Sequence, residues 1–399
     1  MNILFANTQE FNPQIGGVER VSTTLAQKLQ QKGHKVCFLA CNLSSYSKEY
    51  KPVATQTILP NSKDVESTEN VQTFLETLKN NSVDIIVNQA GNVKDFSSLC
   101  FNATKKYNHA KMISVIHIDP GYKFKSLLDL SSSILPSMKG YRNWLKLIVL
   151  PYRMLKTYQF DKELYRFIYN NSDSVVLLSD HFKKDFKKIT RLSSYRKLSA
   201  ISNPFPYEGE NLDISDKKGN KIVYVGRLDY GHKRADRLLD IWSRIAPDFP
   251  SWSLDIVGDG RIGQELVDFV KSNKIERVNF VGFADPIEYY KKAQILCMTS
   301  TFEGFGMVLI EAAYYGCIPI AFNSFASLRD IIDDEKNGCV VTPYKLGEYE
   351  NKLRRLMNDN KLREKIQKQS AKIPTKFRAE NITGQWVRLF DALMKDGSI

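Results

Sequence analysis

Two carboxylates, Glu303 and Glu311, bracket the segment Thr301-Phe-Glu-Gly-Phe-Gly-Met-Val-Leu-Ile-Glu311. A loop carrying Gly304 and Gly306 leads from the first acid into an apolar run. From Phe305 to Phe322, Glu311 is the only charged residue. A carboxylate in such surroundings is costly to bury alone. It offers only acceptors, so ligand hydroxyls suit it, and a lysine elsewhere in the fold would serve as well. The glycines let backbone amides approach a ligand, and a helix N-terminus attracts phosphate. A turn leading into a core helix accounts for the same residues.

A second constellation lies in Tyr224-Val-Gly-Arg-Leu-Asp-Tyr-Gly-His-Lys233. Arg227 falls just past a strand end, and Lys233 follows before a helix. Two fixed cations there would stabilise the charge that grows on a diphosphate leaving group; two exposed surface cations are the plainer alternative. The chain has no Asp-x-Asp triplet, and its His, Cys and carboxylate residues show no obvious metal-site spacing. An enzyme handling a diphosphate without metal or cofactor would draw its positive charge from Arg227, Lys233 and the amides of the 304–308 loop. Ile256-Val-Gly-Asp-Gly-Arg-Ile-Gly263 matches the glycine fingerprint of dinucleotide sites. It follows the second strand of its half, whereas that fingerprint normally opens a fold. A close-packed wall of a nucleotide pocket, including Gly258, is therefore favoured over a nicotinamide or flavin site.

These residues need strand ends to hold them. Asn2–Asn7, Lys35–Ala40, Val83–Asn88, Met112–His117 and Ser174–Ser179 read as buried strands, with a helix over Val18–Gln31. The pattern restarts near residue 218. Strands are expected at Ile222–Val225, Ser253–Val257, Val278–Val281, Ile295–Met298 and Ile318–Phe322, and helices at Arg234–Ala246 and Glu265–Ser272. Val- and Ile-rich strands separated by helices indicate parallel sheets covered on both faces. The expected architecture is α/β, two doubly wound Rossmann-like domains facing across a cleft, with ligands at the strand carboxyl ends. The boundaries read as a domain over 1–203, a linker over 204–217, a second domain over 218–375 and a helix over 376–399.

At 399 residues, 43% hydrophobic and 25% charged, the composition is that of a globular chain rather than a disordered or fibrous one. Met1-Asn-Ile-Leu-Phe-Ala runs into a strand without a basic leader, and Glu311, Gly316 and Pro319 argue against a membrane span over 305–322. Six cysteines without metal spacing fit a reducing, cytoplasmic location. Residues 1–200 hold 28 Lys and Arg against 16 Asp and Glu, so nearly all of the net +13 lies there. Tyr122–Tyr169, expected as an insert of the first domain, carries nine basic and three acidic residues with Trp144 among them. A helix is expected over Tyr141–Leu150, ending at Pro151. Basic residues mixed with interfacial aromatics suit the inner face of the plasma membrane. Helical cover with a solvated basic face is the alternative, and no module for nucleic acid accompanies the stretch.

In this order and spacing the motifs resemble a retaining glycosyltransferase of the GT-B fold, of the family 4 (glycosyl transferases group 1) type. The resemblance spans nearly the whole chain. It rests on Gly16-Gly17-Val-Glu-Arg20 with Gly33-His34, on Ser179, and on Ile201-Ser-Asn-Pro204. It continues through Val225-Gly-Arg-Leu228 with Lys233, Ile256-Val-Gly-Asp-Gly260, Val281-Gly-Phe283, the Glu303–Glu311 pair and a Phe377–Met394 tail. It implies that Arg227 and Lys233 bind the donor diphosphate, that Glu303 lies beside the donor sugar, and that Glu311 accepts from ribose hydroxyls. Amides of Phe305, Gly306, Met307 and Val308 would cradle phosphate and sugar, and Gly258 and Phe283 would line the donor pocket. Gly16 and Gly17 would close over the diphosphate, His117 would sit near sugar and acceptor, and the 376–399 helix would return to the first domain.

The implied reaction moves a sugar from a nucleoside-diphosphate sugar to a glycan or lipid-linked acceptor in cell-surface polysaccharide, lipopolysaccharide or capsule synthesis. A UDP-sugar is the favoured donor and GDP-mannose the next. The configuration would be retained, with no metal and no cofactor. The 322–332 segment lacks the Gly-Pro common in the family before Ile331-Ile332, which bears on acceptor and sugar preference. A nucleotide-sugar 2-epimerase of similar fold and a non-catalytic membrane-associated adaptor are the competing readings.

Overall fold

Ile3-Leu-Phe-Ala6 and Ile85-Ile-Val87 are buried at every position, so both faces of their sheet must be covered by helices. The computed structural model describes residues 1–44, 50–134, 141–207 and 218–395, without the side chains of 130–147. The Trp144 side chain and most of the expected linker therefore lie outside what is described.

The first half runs β1 (Asn2–Gln9), α1 (Gly17–Gln31), β2 (Lys35–Asn42), β3 (Thr55–Ile58), α2 (Thr68–Asn80), β4 (Ile85–Asn88), α3 (Lys94–Tyr107) and β5 (Lys111–Ile116). It continues with α4 (Tyr122–Ile134), α5 (Tyr141–Asn171), β6 (Ser174–Leu177), α6 (Phe182–Thr190) and β7 (Leu198–Ala200). Its seven strands are all parallel, in the order β3-β2-β1-β4-β5-β6-β7.

The second half comprises β8 (Lys221–Val225), α7 (Ala235–Ile245), β9 (Ser253–Val257), α8 (Gly263–Ser272), β10 (Val278–Gly282), α9 (Ile287–Lys292) and β11 (Ile295–Met298). After these come α10 (Met307–Tyr314), β12 (Ile318–Phe322), α11 (Leu328–Ile331), β13 (Cys339–Val341), α12 (Leu346–Asn358), α13 (Asn360–Ser370) and α14 (Ala379–Lys395). Its sheet is also parallel, ordered β10-β9-β8-β11-β12-β13. Both sheets are thus doubly wound. Strand order reverses between β1 and β4 in one and between β8 and β11 in the other.

The chain divides into two units. One comprises Met1–Gly121, Leu155–Glu208 and Phe377–Ile399; the other comprises Tyr122–Met154 and Gly209–Lys376. In the first unit α14 packs on α1 and buries Ile382, Trp386 and Phe390. The basic stretch expected as an insert of the first domain is corrected here, because its first 33 residues, Tyr122–Met154, group with the second unit. The physical reason is a buried ion cluster around Asp129, described below. A second correction concerns Pro151, which lies inside α5 rather than ending it. Proline removes one donor from a helix, and 31 residues supply enough other turns to carry it through.

Candidate functional site

In the second unit the strand order reverses between β8 and β11, and their carboxyl ends open a gap between diverging connections. Loops leaving that point are where open α/β sheets hold ligands. The loop after β8 carries Arg227 and Lys233; the loop after β11 carries Glu303. Lys233 Nζ donates to both Glu303 oxygens, at 2.8 and 3.0 Å. The main chains are tied as well, with the Thr301 amide donating to the His232 carbonyl at 2.8 Å. Two segments 70 residues apart are thereby brought into register.

Glu303 is buried, which alone would raise its pKa. The Lys233 charge outweighs that, with His232 adding to it, and holds the carboxyl well below its usual range. It is ionised at neutral pH. The His232 ring stacks on Phe302 with centroids 4.4 Å apart and planes 2° from parallel, placing its Nε2 3.5 Å from Glu303. Asp229 shapes the turn. It accepts from the His232 and Lys233 amides at 2.7 and 3.1 Å and from Arg227 Nε at 2.9 Å. Burial opposes its charge, but these donors lower its pKa overall. Arg227 itself extends outward, its side chain 69% exposed.

Gly306 adopts φ +91° as the N-cap of α10, a left-handed conformation that favours glycine. No side chain caps that helix. Phe305 is buried beneath its start, and Met307 and Val308 are half-buried in its first turn. Glu311, one turn further in and buried, accepts from the Tyr290 hydroxyl at 3.3 Å. Gly258 explains the fingerprint-like glycines: a Cβ there would lie 2.1 Å from the Gly226 carbonyl oxygen, and one at Gly260 2.3 Å from that of Leu228. The close approach these glycines permit is to the loop before Lys233. Phe283, beyond β10, is 74% exposed.

Gly16, Gly17 and His117 belong to the first unit. Gly16 is the extended N-cap of α1, with no side-chain cap, and a Cβ on Gly17 would meet nothing within 4 Å. Neither has a positive φ, so backbone strain does not require them; a Cβ on Gly16 would lie 2.7 Å from a Glu19 carboxylate oxygen, whereas Gly17 stands open. His117 follows β5. Its Nε2 contacts the Gln89 side-chain oxygen, while its Nδ1 is buried without a hydrogen-bond partner among the described residues. Burial lowers its pKa to about 4, so the ring is neutral at pH 7.

Sequence spacing alone did not point to His232, Asp229, Asp129, Arg234 or Arg237. The partners of the last three are too distant along the chain to leave a pattern. An Asp directly after Arg227-Leu228 was the one readable signal, as a turn former before a helix.

The sequence pattern of the glycosyl transferases group 1 matches residues 212–373, and that of glycosyltransferase family 4 matches residues 15–206. The chain is 30% identical over 274 residues to the amylovoran biosynthesis glycosyltransferase AmsD of Erwinia amylovora, an alignment covering 67% of this chain and 76% of that one. It is 28% identical over 197 residues to a Campylobacter jejuni alpha-1,4-N-acetyl-D-galactosaminyltransferase named for an undecaprenol-diphosphate-linked acceptor, covering 49% of this chain and 54% of that one. In three dimensions it is similar to Anabaena HepE, solved in complex with UDP and glucose, with a TM-score of 0.73 and 17% identity. That match covers 98% of this chain and 100% of the other.

Proposed function

Because the chain belongs to the glycosyl transferases group 1, of family 4 type and GT-B fold, we propose that it moves a sugar from a nucleoside-diphosphate sugar to a glycan or lipid-linked acceptor in cell-surface polysaccharide synthesis. A UDP-sugar is the favoured donor, with GDP-mannose next. The observation that carries the reading is the Lys233–Glu303 pair at the reversal of strand order, held within 2.8 Å beside the uncapped start of α10. An ammonium paired to a carboxylate can exchange that partner for a phosphate oxygen, and Arg227, exposed in the same loop, supplies a second cation.

In the proposed reaction the bond from the anomeric carbon to the diphosphate oxygen breaks and a bond to the acceptor oxygen forms on the same face. The acceptor proton passes to a phosphate oxygen of the departing diphosphate. Lys233, Arg227 and the Met307 and Val308 amides offset the charge that accumulates there, so the residues themselves can do the work without a metal or cofactor. Glu303, freed from Lys233, accepts from sugar hydroxyls, and Glu311 accepts from the ribose. Gly258 and Phe283 would line the donor side; for Gly16 and Gly17 the proposed partner is the diphosphate, and for neutral His117 the sugar and acceptor, roles that rest on the family resemblance.

Contact with a membrane surface belongs to the same proposal. α5 exposes Ile148, Val149, Tyr152 and Leu155, with the basic residues Arg153 and Lys156 among them. Among the described residues no helix is long and apolar enough to cross a membrane. Shallow apolar insertion with cationic neighbours suits the anionic inner leaflet, where a lipid-linked acceptor would be met.

The first test is a thermal-shift screen of the purified chain against UDP, GDP, ADP and NAD, with and without EDTA. A chelator-insensitive stabilisation by one nucleoside diphosphate is expected. Stabilisation by NAD alone would overturn the reading, and loss of the shift in EDTA would overturn its metal-free part. Proton NMR of the product anomeric centre tests retention. Sedimentation with anionic and with neutral vesicles tests the membrane contact, which binding to neither would overturn.

A further inference from the structure

Helix α4 supplies an acid to the second unit's loops. Asp129 is 3% exposed, and both of its oxygens are occupied. Arg234 Nη1 and the Thr301 hydroxyl each donate to Oδ2 at 2.8 Å, and Arg237 Nη2 donates to Oδ1. Arg237 also reaches the Thr299 carbonyl at 3.5 Å. Asp236, on Arg234 Nη2 at 2.9 Å, completes a cluster of two acids and two guanidiniums.

Arg234 directly follows Lys233, and Thr301 stands two residues before Glu303. Arg234 takes φ +54°, a left-handed conformation, so the chain turns sharply there. Lys233 ends on Glu303, and Arg234 ends on Asp129. The same two loops are therefore cross-linked twice, once by Lys233–Glu303 and once through Asp129. Two turns earlier on α4, Tyr122 packs on Phe302 at 5.2 Å, and Phe302 in turn stacks on His232.

We infer that Asp129 is a positioning residue for the donor site: it holds the 232–237 turn and the 299–303 segment in register while Lys233 exchanges Glu303 for donor phosphate. The inference rests on the donor-site reading above. The exchangeable cross-link is the half-open one, with Lys233 18% exposed; the fixed one is buried. A carboxylate that binds two guanidiniums and a hydroxyl at once fixes two loops by a single group, and it comes from a helix outside both.

The test uses the full chain carrying Asp129→Asn, which keeps shape and removes charge, and Thr301→Val, which removes only the hydroxyl. Two readouts are taken at temperatures below unfolding: affinity for UDP, GDP and ADP, and amide hydrogen exchange without ligand. For Asp129→Asn, affinity for the best-bound nucleotide should fall roughly tenfold to a hundredfold, since loop misplacement of about an ångström is costly. Exchange should rise selectively in 231–237 and 299–304, with Thr301→Val showing a smaller change of the same pattern. Unchanged exchange in those segments, or unchanged affinity where Lys233→Ala abolishes binding, would overturn the inference. If Lys233→Ala and Glu303→Ala also bind nucleotide normally, the donor-site reading has failed instead, and the exchange result alone then decides the role of Asp129.

Discussion

Glu303 shows how a buried carboxylate becomes usable. Burial penalises its charge, and Lys233 with His232 reverses the balance. Its folded pKa lies below the unfolded value of 4.5, so the stability it contributes is complete above that value and is lost as pH falls toward the folded pKa. Glu303→Gln should therefore flatten the acid limb of the stability curve below about pH 4.5, measured by urea melts across pH. An unchanged acid limb would show that the pair is not formed in solution. Glu303→Ala and Lys233→Ala should each lose most turnover while keeping the wild-type circular dichroism spectrum; full activity in either would remove the pair from the reaction.

His117 has the same sign of shift for a different reason, since burial alone lowers it from 6.5 to about 4. Neutral imidazole is the folded form, so its contribution is present above pH 6.5 and declines between there and pH 4. Its ring carbon resonance in NMR should titrate near 4. A midpoint near 6.5 would mean that the ring is solvated.

At the scale of elements, backbone packing sets the loop that carries Lys233. The carboxyl end of β9 touches that loop through Gly258, which has φ +136° and no room for a Cβ. Gly258→Ala should cost about 2–4 kcal/mol, from left-handed strain and displacement of the Gly226 carbonyl. Gly17→Ala should leave the denaturation midpoint unchanged, because a Cβ there meets nothing. A fall in activity without a fall in stability would then mark Gly17 as a place where a ligand meets the main chain.

The interior strands were legible in the sequence because they are mostly apolar, β9 with Asp255 included: the expected ranges Ser253–Val257, Ile295–Met298 and Ile318–Phe322 coincide with β9, β11 and β12. β3, β7 and β13 were not expected. They are edge strands of three or four residues, too short and too mixed to show a period. Both loops at the β8/β11 junction were legible as motifs. The Asp129 cluster was not, because Asp129 and Arg234 are 105 residues apart and nothing local about a leucine-flanked aspartate on a helix announces two arginines. Helix α5 ran past Pro151 because a proline stop is a local rule that a long helix can override.

For the whole molecule, α14 is the element on which the first unit depends from furthest away in sequence. Trp386 and the α1 residues Val21 and Leu25 line a small cavity with Leu178 and Ile201, and Lys32 pairs with Glu380. Trp386→Ala should destabilise the protein by about 3–5 kcal/mol through the void it leaves. Limited proteolysis should then cut first in the first unit, around α1; first cleavage within 218–376 would show that α14 stabilises something else.

Neither unit is continuous along the chain: the first is completed by residues 377–399, and the second takes α4 from within the first. A ribosome delivers residues in order, so α1 emerges more than 340 residues before the helix that covers its apolar face. Until α14 has been made, α1 lacks the helix that packs on it, and α4 waits only until Arg234 and Arg237 have followed it. The first unit can therefore close only after α14 has been made, and a nascent protein halted before residue 379 should be held by chaperones with α1 still uncovered.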